Sequence, residues 1–191
     1  MLVAVAVVLS GCATGDGNNQ GATTTSPAAA EAPASPWDVP LEQRPALFDP
    51  CEEIPIEAIE EAIGGAVEPV PEIHRHRPGE LFTCTWESDE VRYIITGTWR
   101  SRDQFLADPK YDMIDRNSTV LGRSSIRFVN PSGSRDNNCF QVFFTESGAV
   151  VVNANLRTPL REFRGERSWK ACDVLDSSMD PIVERLPKGD Y

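Results

Sequence analysis

The cysteines constrain this chain more than any other feature. Five are present, at positions 12, 51, 84, 139 and 172. Cys12 closes Leu9-Ser10-Gly11-Cys12 at the end of a short apolar run, which reads as a bacterial lipobox. In that reading the signal peptidase cuts before Cys12, and the cysteine becomes the lipidated first residue of the mature chain. Setting Cys12 aside leaves an even remainder of four, as expected where thiols are oxidised. Four cysteines allow three pairings. Cys51–Cys84 with Cys139–Cys172 is expected, because both links are local and symmetrical, each worth about 4 kcal/mol in a chain-entropy account. Two such links compare with a domain's whole net stability of about 5–15 kcal/mol. No metal centre is expected: there is no Cys-x-x-Cys pair, and the only histidines are His74 and His76.

Residues 1–11 read as a signal peptide. The apolar run Leu2–Leu9 falls far short of the roughly 20 residues that span a bilayer, and it suits the apolar region of a secretory signal. No Lys or Arg precedes it, so the natural start is expected upstream and Met1 is read as an internal start. The run carries no charged side chain, which places the whole formal charge of −11 on the mature chain. Such a surface excludes nucleic acid as a partner, since phosphate binding needs clustered Lys and Arg. It also disfavours adsorption to anionic lipid, so membrane attachment is expected through acyl chains alone.

Residues 12–46 read as the lipidated cysteine and a disordered tether rich in Ala, Thr, Ser, Pro and Gly. Its r.m.s. reach is about 30–35 Å, and Trp37 is expected to be exposed within it. One globular domain is expected over residues 47–187. Ile54, Ile56, Ile59 and Ile63 have helical rhythm, with Gly64-Gly65 as a stop. Alternation predicts strands at Leu81–Trp86 and Val91–Trp99, and a third near Ser124–Val129. The clearest hairpin joins Cys139–Thr145 to Ala149–Leu156 across Glu146-Ser147-Gly148. Ser101-Arg102-Asp103-Gln104 has capping-box form, and a last helix is expected from about Glu166 to Leu186, split at Pro181. The sum is an α+β domain: an antiparallel sheet of about five strands with packed helices, stapled by two disulfides.

Several of these residues recur together in a known group. The lipobox Cys12, the low-complexity tail, Asp49-Pro50-Cys51, Cys84-Thr85-Trp86, Cys139 and a Cys172 helix ending in Leu186-Pro187 make the chain resemble a family of actinobacterial lipoproteins that carries only a domain-of-unknown-function label. The resemblance covers about residues 47–187. It implies an envelope lipoprotein of a high-GC Gram-positive organism, with a sheet-and-helix fold similar to the Mog1/PsbP type. It implies no activity, no cofactor and no catalytic residue. O-mannosylation of the Thr23–Ser26 cluster is a further expectation from lipoproteins of this kind.

Motifs for chemistry are few. The sequence has no Gly-x-Ser-x-Gly elbow, Ser-x-x-Lys, His-Glu-x-x-His or P-loop. His74 and His76, in the run His74-Arg75-His76-Arg77, read as a solvated loop. Glu52-Glu53, Glu60-Glu61 and Asp89-Glu90 read as solvated acidic faces, with a carboxylate pair for glycan hydrolysis as the alternative. Arg157, Arg161, Arg164 and Arg167 recur at intervals of three or four and would share one face if helical. That face would suit an anionic polymer or partner, though an internally salt-bridged strip is the plainer reading. Phe82, Trp86, Tyr93, Trp99, Phe140, Phe143 and Phe144 read as core, with a pocket for an apolar ligand as the alternative. The expected function is a lipid-anchored, non-enzymatic binding or scaffolding module on the extracytoplasmic face of the membrane, with an envelope protein or polymer as partner. The alternatives are a carrier of a small lipid or apolar ligand, and a carboxylate-dependent envelope glycan hydrolase.

Overall fold

The hairpin at the centre of the sequence is also the centre of the sheet. In a computed structural model that describes residues 35–132 and 134–191, Asn138–Thr145 (β7) and Gly148–Leu156 (β8) pair antiparallel, with Cys139 opposite Ala154 and Thr145 opposite Gly148. Val91–Thr98 (β4) joins the outer side of β8, and Leu81–Glu87 (β3) joins β4. On the other flank, Arg123–Val129 (β6) pairs with β7, and Asp112–Val120 (β5) with β6. Two short strands, Glu68–Pro69 (β1) and Arg75–Arg77 (β2), both pair with β3. The antiparallel sheet therefore has eight strands rather than the expected five or so.

The alternation along β4 has a direct structural cause. Val91, Tyr93 and Ile95 are fully buried, whereas Arg92, Ile94 and Thr96 between them remain half-exposed. The buried set meets a helical layer of Ile56–Ile63 (α2), Ala171–Ser178 (α4) and Asp180–Val183 (α5). α2 contributes Ala58, Ile59, Ala62 and Ile63, while Ile56 at its start is exposed, and it ends at Gly64 with φ of 82°. Each fully buried Ile or Val contributes about 1.5–3 kcal/mol through removal from water. Arg102–Leu106 (α3) lies over the other face, where Phe105 packs with Ile126, Phe128, Val142 and Phe144. The Ser101 capping box is formed: Ser101 Oγ accepts from Gln104 N–H, and Gln104 Oε1 accepts from Ser101 N–H at 2.8 Å. No helix among the described residues is long and apolar enough to cross a membrane.

Three expectations change. Order reaches back to Ser35, well before residue 47: Trp37 sits edge-on to Trp99 at 5.1 Å between centroids and donates its indole N–H to Thr145 O. Trp37 is thus half-buried rather than exposed. The helix expected from Glu166 begins only at Ala171 and is broken at Met179 into α4 and α5, with Pro181 in the first turn of α5. The stretch 157–170 is irregular, with Arg161, Arg164 and Ser168 at positive φ (52°, 51° and 70°). Residues 1–11, Cys12 and the Thr23–Ser26 cluster lie outside the described residues.

Candidate functional site

Without a helix, the four arginines of 157–167 share no face, and each is engaged by its own protein. Arg157 donates to Ser88 O at 2.9 Å and lies 3.4 Å from a Glu87 carboxylate oxygen. Arg161 pairs with Asp136. Arg164 and Gly165 form a two-residue turn, with Phe163 and Glu166 exchanging backbone hydrogen bonds on either side. The Arg164 and Gly165 N–H groups donate to the Glu90 carboxylate at 2.7 and 3.0 Å. The Arg164 guanidinium reaches across to Ala62 O at 2.9 Å and Ile63 O at 3.3 Å, carbonyls left over at the end of α2. Arg167 pairs with Glu162 at 3.0 Å on the surface. The common face that a helix would have given these arginines is therefore not assembled; these cations pair within the protein and tie loops to helix and sheet.

The aromatic residues sort by face. Trp86, Tyr93 and Phe143 lie in the core beneath the helices. Phe144 packs on the opposite side, where Tyr111, Phe128 and Phe140 form a stack with centroids 4.2 and 4.8 Å apart. Phe82 and Trp99 form a third cluster with Leu47. Above Trp99 lies an open cleft of about 670 Å³, bounded by Leu41, Gly79, Glu80, Arg100, Gln104 and Asp108. Its polar wall is fixed in place. Arg100 donates to Asp108 Oδ2 and Gln104 O at 2.6 Å each, and its guanidinium lies 4.4 Å from the Phe105 ring centroid. The Lys110 backbone N–H, and after it Arg100, hold the Asp108 carboxyl below the usual carboxylate range. A smaller apolar recess of about 190 Å³ lies between Trp37, Phe144 and Tyr191.

The sulfurs link Cys51 to Cys84 and Cys139 to Cys172, with Cα–Cα separations of 5.3 and 5.0 Å. Both links staple a helix to the sheet. Cys51 lies in Pro50–Glu53 (α1), where Asp49 caps its N–H at 2.9 Å, and Cys84 lies in β3. Cys139 lies in β7 and Cys172 in α4.

His74 is not the solvated loop residue the sequence suggested. Its ring is half-buried against the first disulfide, with Nδ1 3.8 Å from Cys51 Sγ and Nε2 3.6 Å from Cys84 Sγ. Nε2 is also 3.3 Å from Thr85 O. His76 stays exposed, 3.5 Å from Asp49. Strand register is what brings His74 here: Arg75 pairs with Thr83, and continuing that register by one residue sets His74 opposite Cys84. As a disulfide the two sulfurs offer no thiolate to a cation. Cys51, Cys84 and His74 come within 4.8 Å of one another because the bond between the sulfurs holds them there, so in this form they are no ligand set for a metal.

A family described as "Protein of unknown function (DUF3558)" matches residues 7–177. The chain belongs to that family. The span shared with the DUF3558 family takes in Cys12 and both disulfides and ends within α4. No curated protein and no solved structure matches the chain.

Proposed function

We propose that this DUF3558 protein is a lipid-anchored binding module of the actinobacterial cell envelope, held at the extracytoplasmic face by acylated Cys12. Two disulfides in one domain support an oxidising compartment, and the acidic chain supports attachment by acyl chains rather than by surface charge. The observation that carries the binding reading is the cleft above Trp99, whose volume of about 670 Å³ falls within the range of ligand sites. Its walls are pre-set, because Arg100 is already held by Asp108 and Gln104. A partner therefore spends little on ordering side chains. An envelope protein or polymer is the partner that a tethered domain of this kind would meet.

A photo-crosslinking residue placed at Gln104 in the full-length protein tests this in intact cells, with Glu61 on α2 as a control position remote from the cleft lining. The expected result is a recurrent adduct from Gln104 that is absent from Glu61. Equal labelling from both, or none from Gln104, would overturn the reading. A co-purifying apolar molecule would instead favour a carrier, and release of sugar from envelope glycan would favour a hydrolase.

A further inference from the structure

The two disulfides sit in different chemical surroundings. Cys139 is fully buried and Cys172 is half-buried against the main core, and among the described residues no histidine contacts either sulfur. In the other link Cys51 is exposed, whereas Cys84 is buried at 3% exposure. The His74 ring presents one nitrogen to each sulfur. We propose that Cys51–Cys84 is an exchange-active disulfide, opened by thiol reductants through Cys51 with His74 as proton carrier, while Cys139–Cys172 is a permanent staple. The inference is independent of both the anchor and the cleft.

The geometry gives each group a task. Thr85 O accepts from Nε2–H, which fixes the neutral tautomer and leaves the Nδ1 lone pair toward Cys51. An incoming thiol RSH can reach only Cys51 Sγ, since Cys84 is shielded. Nδ1 takes the thiol proton, and the thiolate attacks Cys51 Sγ. A bond forms between the reductant sulfur and Cys51 Sγ, the Cys51–Cys84 bond breaks, and its electron pair leaves with Cys84 Sγ. The imidazolium then delivers the Nε2 proton to that sulfur, 3.6 Å away. A second RSH attacks the reductant sulfur of the mixed disulfide, releasing RSSR and Cys51 as a thiol. In total two thiols are oxidised to one disulfide and the protein disulfide is reduced to two thiols. Run backwards, the same steps oxidise a dithiol partner. Exposure alone would let any disulfide open; the imidazole on both sulfurs is the added element, because it supplies a base for the attacking group and an acid for the leaving group.

The test uses the full-length chain with glutathione as the thiol, quenched by alkylation and followed by non-reducing peptide mapping. Cys51–Cys84 is expected to open at least about tenfold faster than Cys139–Cys172, with the glutathione adduct on Cys51. His74→Gln is expected to slow that opening by about tenfold or more, while the rate at Cys139–Cys172 is unchanged. His76→Gln should leave both rates as they are. Far-UV circular dichroism and an intact Cys139–Cys172 link establish that the variant is folded; His74→Asn, which keeps a donor for Thr85 O, repeats the measurement if His74→Gln fails that check. Equal opening of the two disulfides, an adduct on Cys139 or Cys84, or a His74 variant that reacts at the wild-type rate would overturn the proposal.

Discussion

At the residue scale the clearest case is Tyr93, fully buried at the heart of the sheet. The Tyr93 hydroxyl shares a hydrogen bond with Ser178 Oγ, which also lies 2.6 Å from Val174 O. Burial pushes the Tyr93 phenol well above its ordinary value, and the opposing effects of Ser178 and Arg164 are smaller. The native state thus keeps a proton that an unfolded tyrosine loses near pH 10. This contribution is complete below about pH 10 and declines above it, by about 1.4 kcal/mol per pH unit for one proton. Tyr93→Phe should cost about 1 kcal/mol at neutral pH, since Ser178 retains its backbone acceptor. In urea titrations its disadvantage should then shrink between pH 10 and 11; parallel stability curves would refute the assignment. The arginines offer a second contrast. Arg164→Ala strips donors from two helix-end carbonyls and should cost about 1–3 kcal/mol. Arg167→Ala breaks only a surface pair, with a side chain 69% exposed, and should stay within about 0.5 kcal/mol of wild type by the same titration.

At the scale of elements, the tightest point is where the chain leading into α1 crosses β4. A Cβ on Gly97 would lie 2.1 Å from Phe48 O, and Phe48 is itself fixed by its N–H to Ser147 O at 3.0 Å. Gly97→Ala must therefore push the crossing segment off the sheet, at a cost of about 3 kcal/mol or more. Gly65→Ala, with nothing within 4 Å, should melt with the wild type. A Gly97→Ala protein as stable as wild type would show that the crossing yields freely. Such crossings explain what could be read from the chain and what could not. β4 was legible because it buries one face, leaving the alternation of Val91, Tyr93 and Ile95 in plain view, and β3, β7 and β8 because they are nearly continuously buried runs rich in apolar side chains. β5 was not, because Asp115, Arg116 and Asn117 lie exposed on an edge strand, and β1 and β2 are too short to show a period. The arginine spacing at 157–167 imitates a helix, but Glu90 and Asp136, distant in sequence, hold that stretch in a different shape. His74 was opaque for the same reason: only the β2–β3 register reveals what it faces.

For the whole molecule, the proposed anchor and the stapled domain answer different needs. The disulfides tie α1 to β3 and β7 to α4, so these two helices cannot leave the sheet while both links hold. The chain carries a net charge of −11, which anionic headgroups repel, and no described helix is long and apolar enough to span a bilayer. In the proposed arrangement retention at the membrane rests on acyl chains on Cys12, and two or three would be needed, because one gives only marginal binding. Cys12→Ala should abolish incorporation of labelled palmitate and move the protein from the membrane pellet to the soluble fraction, or leave it unprocessed with residues 1–11 still attached. Circular dichroism of the released variant should match wild type, since both staples lie within the domain. High salt should release no further protein from wild-type membranes, as an acidic surface predicts. A Cys12→Ala protein that is cleaved, unlabelled and still sedimenting with membranes after a high-salt wash would point to a second attachment within residues 35–191. The exposed apolar side chains Leu41, Ile114, Leu121 and Leu160 would then be the first to replace.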